Sequence, residues 1–117
     1  MAAVLEAEAM RLGAEAPVVV VGSGPAGVRV AQELARRAPA LPVVLYGAEE
    51  SEPYNRVRLS SFLAGELAWD GLTRDLRLPE RARIERRYGC AVVAIARRSR
   101  TVFDARNRAQ AYCRLVI

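Results

Sequence analysis

Residues 18–37 read VVVVGSGPAGVRVAQELARR. Four consecutive valines, with no polar alternation, are the mark of a short strand buried on both faces. A bend rich in glycine follows, at Gly22, Gly24 and Gly27, and an amphipathic pattern runs from Pro25 to Arg37. Val28, Ala31, Leu34 and Ala35 recur there at spacings of three and four, which gathers them on one face of a helix. Proline is tolerated at the start of a helix, where its missing N–H has no partner to lose. Pro39 and Pro42 then stop the pattern. Val43 to Tyr46 is a second apolar run. A strand, a crossover helix and a strand in close succession predict two neighbouring parallel strands in an α/β domain.

The bend spells G-x-G-x-x-G, and each glycine has a physical task. Gly22 lets the chain leave the strand in a tight turn. Gly24 lacks a side chain, so a pyrophosphate can approach the backbone. Gly27 lets the helix lie close on the strand. The amides and positive dipole end of the helix then face the phosphates. No Gly-Lys-Ser/Thr follows, which excludes a Walker-type phosphate loop. A dinucleotide site also asks for an acid about 20 residues further on, to accept hydrogen bonds from a ribose. Glu49 lies 22 residues beyond Gly27, with Glu50 and Glu52 as alternatives. These residues alone do not separate FAD from NAD.

The 117-residue chain has the length of one ordinary domain, and its 52% apolar content can supply a core. No apolar run approaches the ~20 residues that cross a bilayer, and none fits a secretory signal. The reading is a protein that stays in the cytoplasm, with no membrane partner. Net charge is +5, and all 18 basic residues are arginine. Residues 1–73 carry 6 arginines against 9 acids, and residues 74–117 carry 12 against 4. Without interleaved aromatics or a nucleic-acid motif, the basic half reads as a solvated face or a surface against further protein, with no nucleic acid. Cys90 and Cys113 form no C-x-x-C, and no histidine is present. Both cysteines adjoin strand-like runs and read as free core thiols. The lack of histidine removes the Ser-His and Cys-His nucleophile pairs, and no catalytic residue or metal ligand stands out.

Residues 1–16 read as a leader and 17–117 as the domain. Leu59 to Gly65 predicts a short helix closed by Gly65, while Glu66 to Arg81 is ambiguous. From Arg83 the pattern turns to strands: RIERRYG, AVVAIARR and RTVFD, with turns at RSR and ARNR, then YCRLVI. A β meander from about Ala91 to Asp104 is expected as a separate layer.

The stretch GAEESEPYNRVRLSSFLAGE, residues 47–66, resembles the FAD-binding domain of the pyridine nucleotide-disulfide oxidoreductase superfamily. The likeness is strongest to the nitrite reductase large subunit and rubredoxin reductase branch. It extends through RIERRYGCAVVAIARRSRTV and YCRLVI, so that it covers about residues 17–117. The resemblance implies a Rossmann-like FAD/NAD(P)-binding fold, a parallel sheet with a crossover helix and a β meander. It assigns Gly22, Ser23, Gly24, Pro25, Ala26 and Gly27 to the FAD pyrophosphate and Glu49 to the adenosine ribose. Arg56, in PYNR, falls to the flavin-side phosphates or adenine, and the backbone of Val92 to the adenine edge. Ser61 stands where many relatives place a lysine near the isoalloxazine. The redox C-x₄-C of the disulfide reductases is absent, which argues against direct disulfide reduction.

In the family, L-V-I leads into an A-T-G bend, a separate NAD(P)H-binding domain and a returning G-D segment. The resemblance therefore implies a truncated FAD-binding portion of an NAD(P)H-dependent oxidoreductase, inactive alone. Its partners would be FAD and a missing domain or partner chain, and an exposed sheet edge would favour a homo-oligomer. FAD would be held weakly or lost by the isolated chain, and NAD(P)H would be needed only by the full-length protein. The alternative is a non-catalytic nucleotide- or partner-binding module derived from such an enzyme.

Overall fold

The computed structural model describes residues 16–80 and 82–117. The leader expected over residues 1–16 thus lies, apart from Ala16, outside the described residues. Two strands and a helix open the domain: β1 (Val18–Val21), α1 (Pro25–Arg37) and β2 (Val43–Tyr46). A 3-10 turn (Arg56–Arg58), α2 (Leu59–Leu63), α3 (Trp69–Thr73) and a second 3-10 turn (Arg74–Leu76) follow. Five strands complete it: β3 (Ile84–Arg87), β4 (Val92–Ala96), β5 (Thr101–Asp104), β6 (Ala109–Ala111) and β7 (Arg114–Val116).

The strands form two sheets. One has four strands in the order β3-β2-β1-β7, all parallel, and the other has three in the order β4-β5-β6, antiparallel. The parallel pair expected from the two apolar runs is present, with Val18 beside Val43 and Val21 beside Tyr46. The meander is longer than expected. The ARNR segment turns the chain after β5, with Asn107 at φ 62°, and β6 adds a third strand.

Alternation along the valine run explains the layering. Val18 and Val20 face α1, where Val28, Ala31 and Ala35 pack with Val43, Leu45, Ile84 and Cys113. Val19 faces the opposite way, joining Val44, Tyr46, Cys90, Val102 and Tyr112 between the two sheets. Helix, parallel sheet and antiparallel sheet thus make three layers around two apolar cores. Val19, Val20, Val28 and Val102 are wholly buried, each contributing about 1.5–3 kcal/mol of hydrophobic stabilisation. The two cysteines are free and buried, one in each core. Burial pushes the Cys113 thiol above its ordinary range.

The region left ambiguous in sequence, Glu66 to Arg81, holds α3 and the second 3-10 turn. Gln32 of α1 anchors that turn, its side-chain amide donating to the carbonyls of Asp75 and Arg77 at 2.9 Å each. Several arginines of the basic half also serve the fold. Arg87 donates to the Tyr46 hydroxyl at 2.6 Å and pairs with Glu85. Arg108 pairs with Asp104 at 2.9 Å. Burial raises the Tyr46 hydroxyl above its usual range, against the opposing effect of the Arg87 charge.

Asp104 is the buried charge among the described residues, with its side chain 2% exposed. Its Oδ1 accepts from the backbone amides of Arg106 and Arg108, and its Oδ2 from Arg108 Nε and the Cys90 thiol. The Arg108 amide, opposed by burial and aided by Cys90, the Arg108 guanidinium and the Arg106 amide, holds this carboxyl down at about 2. The arrangement fixes the turn from β5 to β6 and ties it to Cys90 at the head of β4.

Candidate functional site: a glycine cradle at the carboxyl ends of the strands

The glycine bend lies where β1 ends and α1 begins. Ligands of open α/β sheets bind outside the carboxyl ends of the strands, and this bend occupies that position. Gly22 has φ +114°, a conformation that favours glycine. Its amide donates to the Tyr46 carbonyl at 2.9 Å, which extends the β1–β2 ladder into the bend. Gly24 is the extended N-cap of α1, with no side-chain cap bond, and Pro25 opens the helix. The amides of the first turn are therefore not closed off by a capping side chain.

The three glycines differ in what a methyl group would meet. At Gly27 it would stand 1.9 Å from the Gly22 carbonyl oxygen, so the helix lies as close to the bend as the backbone permits. At Gly24 it would meet nothing within 4 Å. The space beside Gly24 is open, and it belongs to a cavity of ≈ 300 Å³ lined by Gly22, Pro25, Ala26, Val30 and Val116, among others. A backbone cradle with open space above its middle glycine suits a pyrophosphate. Ser23, Pro25 and Ala26 sit in this bend.

The acid reaches the cradle from β2. Gly47 donates to the Arg87 carbonyl at 3.0 Å and accepts from the Cys90 amide at 2.9 Å. The Glu49 carbonyl accepts from Gly89 at 2.8 Å. These bonds stitch the loop after β2 to the loop after β3. Gly47 also lies directly against Ser23: a methyl group there would stand 2.3 Å from Ser23 Oγ. The acid-bearing loop and the glycine bend are thus in contact.

Glu49 and Arg56 are brought together. The Glu49 carboxylate accepts from Arg56 at Oε1 and from the Tyr54 hydroxyl at Oε2, the latter at 2.9 Å. The Arg56 guanidinium carbon also lies 5.8 Å from the centre of the Tyr54 ring. Asn55 caps the 3-10 turn that carries Arg56, its Oδ1 accepting from the Val57 amide at 3.1 Å. Glu50 is exposed, its chain packed over Gly89, and Glu52 accepts from the Trp69 indole at 2.8 Å. Glu49 is therefore the one of the three acids joined to Arg56.

Ser61 and Val92 are not joined to this group. Ser61 lies on α2, and among the described residues its hydroxyl has no hydrogen-bond partner. Val92 heads β4 opposite Asp104 and packs against the core between the sheets. Sequence reasoning missed Tyr54, although it stands inside the quoted PYNR, because the arginine beside it drew the assignment. It also missed Gly47, whose signal was a glycine directly after the second strand. Among the described residues no group of three or more His, Cys, Asp or Glu is placed to hold a metal. Nor is any helix there long and apolar enough to cross a membrane.

Comparison with known proteins gives the family and the fold. Residues 16–117 match the pyridine nucleotide-disulphide oxidoreductase family, and the chain belongs to it. The family depends on FAD and NAD(P)H. The chain is 34% identical over 103 residues to the ferredoxin–NAD(+) reductase component of the anthranilate 1,2-dioxygenase system of Burkholderia cepacia, covering 86% of this chain and 25% of that protein. It is 29% identical to the assimilatory nitrate reductase electron transfer subunit of Bacillus subtilis, covering 86% of this chain and 13% of that protein. Among solved structures, putidaredoxin reductase in its covalent complex with putidaredoxin superposes with a TM-score of 0.73 at 29% identity, over 86% of this chain and 25% of that one. The NADH:rubredoxin oxidoreductase of Clostridium acetobutylicum, at a TM-score of 0.70 and 20% identity over 85% of this chain and 26% of that one, shares the fold. The chain thus spans a quarter or less of the curated relatives it matches.

Proposed function

We propose that residues 17–117 are the N-terminal part of an FAD-binding domain and hold the ADP half of FAD for an NAD(P)H-dependent electron-transfer reaction. The observation that carries this reading is the glycine cradle: closed at Gly22 by its backbone angle, closed at Gly27 by contact, and open at Gly24. In this reading the first-turn amides of α1 hold the pyrophosphate, Glu49 accepts from the ribose hydroxyls, and Arg56 faces a phosphate or the adenine. The backbone of Val92 meets the adenine edge, and Ser61 lies toward the flavin ring. FAD held by these residues would supply the hydride- and electron-transfer chemistry between a reduced nicotinamide and an acceptor. The protein residues here bind and orient, and none is assigned a proton transfer. The name of the 34% identical relative, a ferredoxin–NAD(+) reductase component, supports a small redox protein of the ferredoxin kind as the acceptor.

Titration of the purified chain with FAD, followed by flavin fluorescence quenching and by absorbance after dialysis, tests the reading. Saturable binding is expected, lost in Gly24→Val while the circular dichroism spectrum is kept. Equal FAD affinity in a folded Gly24→Val protein sinks the assignment.

A further inference from the structure

The acid that a dinucleotide would need is already engaged. Glu49 has both oxygens bonded, one to Arg56 and one to Tyr54. Arg56 in turn leans on the Tyr54 ring. Three side chains from one short loop form a closed triangle. In this state each carboxylate oxygen already carries a donor, so a ribose diol must compete with Arg56 and Tyr54 for them, and the guanidinium is engaged by an internal anion.

We propose that Glu49, Tyr54 and Arg56 form a clasp that closes on itself in the free protein and selects ligands presenting both a ribose diol and a phosphate. The proposal rests on the dinucleotide reading of this site. Its logic is exchange. A nucleoside can replace Arg56 on the carboxylate, but it leaves the guanidinium without its anion. A free phosphate can replace Glu49 on the guanidinium, but it leaves the carboxylate without its cation. A nucleoside diphosphate serves both halves at once: its diol donates to the carboxylate and its phosphate pairs with the guanidinium, so neither charged group is left without hydrogen bonds when the clasp opens. Tyr54 is a positioning residue: its hydroxyl aims the carboxylate and its ring supports the guanidinium face. The pair is partly open to solvent, with side chains 41% and 64% exposed, so the bias it adds is modest, up to about fivefold.

The molecule carries its own reporter. Trp69 is the sole tryptophan, and its ring lies 5.8 Å from that of Tyr54. Binding of adenosine and of ADP is measured by Trp69 emission and by calorimetry in the native chain, Arg56→Gln and Tyr54→Phe. In Arg56→Gln, adenosine is expected to bind more tightly, by up to about fivefold, and ADP more weakly, by about tenfold. Tyr54→Phe is expected to tighten adenosine by about twofold and to preserve the preference for ADP. In the absence of ligand, added salt should shift the native Trp69 emission toward that of Arg56→Gln and leave the variant unchanged. ADP binding with an unaltered ADP-to-adenosine ratio in Arg56→Gln overturns the clasp and spares the nucleotide site. Failure of the native chain to bind ADP overturns the nucleotide reading and the selection built on it. Both variants replace partly exposed side chains, and circular dichroism verifies their folding.

Discussion

Ser23 fills the space that a side chain on residue 47 would need: a methyl group on Gly47 would fall 2.8 Å from Ser23 Cβ as well as against its hydroxyl oxygen. This contact is the point at which the glycine bend and the acid-bearing loop hold each other in place. Gly47→Ala is therefore expected to destabilise the domain by about 1–3 kcal/mol. Ser23→Gly in the same chain should recover most of that loss, since the nearest contact left is the Tyr88 ring, at 3.3 Å. A double-mutant cycle of urea unfolding curves checks this, and additive losses would refute the coupling.

Gly24 and Gly27 should separate binding from stability. Gly27→Ala must push α1 off the Gly22 carbonyl, at a cost of roughly 1–3 kcal/mol, visible as a lower thermal midpoint. At Gly24 a Cβ meets open space, so Gly24→Val should cost no more than about 1 kcal/mol, the worth of the N-cap preference, while filling the room a pyrophosphate requires. If both variants lost stability equally, the distinct roles assigned to the two glycines would fail.

Removing the acid should weaken binding without unfolding the chain. Glu49→Ala is expected to reduce FAD affinity by about 1.5–3 kcal/mol, the worth of a charge-assisted hydrogen bond. Glu50→Ala serves as the control, and calorimetric titration distinguishes them. An equal loss in the two variants would mean that the ribose acid has been misassigned.

Acid should loosen the meander at a definite point. The Asp104 carboxyl is held at about 2 in the folded chain, against an ordinary value of 3.8. A carboxyl depressed on folding stabilises above its unfolded value, and that contribution is lost as pH falls through the folded one. Stability should therefore decline between pH 3.8 and about 2, and Asp104→Asn should flatten that decline. Denaturant unfolding at stepped pH measures it. An identical slope in the variant would move the acid sensitivity to other groups.

The first half of the fold was legible because its signals are local. A valine run, a glycine bend and a helical stripe follow one another, and each predicts its own element from residues within it. The meander was legible as strands but not in extent. β6, Ala109 to Ala111, has no hydrophobic alternation of its own and is a strand because the Asp104 turn returns it to β5. Glu66 to Arg81 was illegible for a similar reason. Its helical turns are brief and are held from outside by Gln32. In the site, the spacing from Gly27 pointed to Glu49 because it reflects the strand and helix lengths of the whole unit. Tyr54 carried no such periodic signal, and its part is visible only where its hydroxyl meets the carboxylate.

The order of strands sets a schedule for folding. β7, the last strand in sequence, pairs with β1, the first, setting Arg114 beside Val18. That edge closes only after nearly the whole described chain is looped, and such distant pairings form late. The meander is built from neighbours in sequence and can assemble beforehand. Tyr112 and Cys113 lead from it into β7 and are buried on opposite sides of the parallel sheet. The antiparallel layer is thus a carrier that delivers the final strand to its berth. Pulse-labelled amide exchange should show β5 protected ahead of β7, and simultaneous protection would contradict the schedule. A lesion in the meander, such as one at Asp104, then delays closure of the sheet that bears the glycine cradle, although it touches no residue of that cradle.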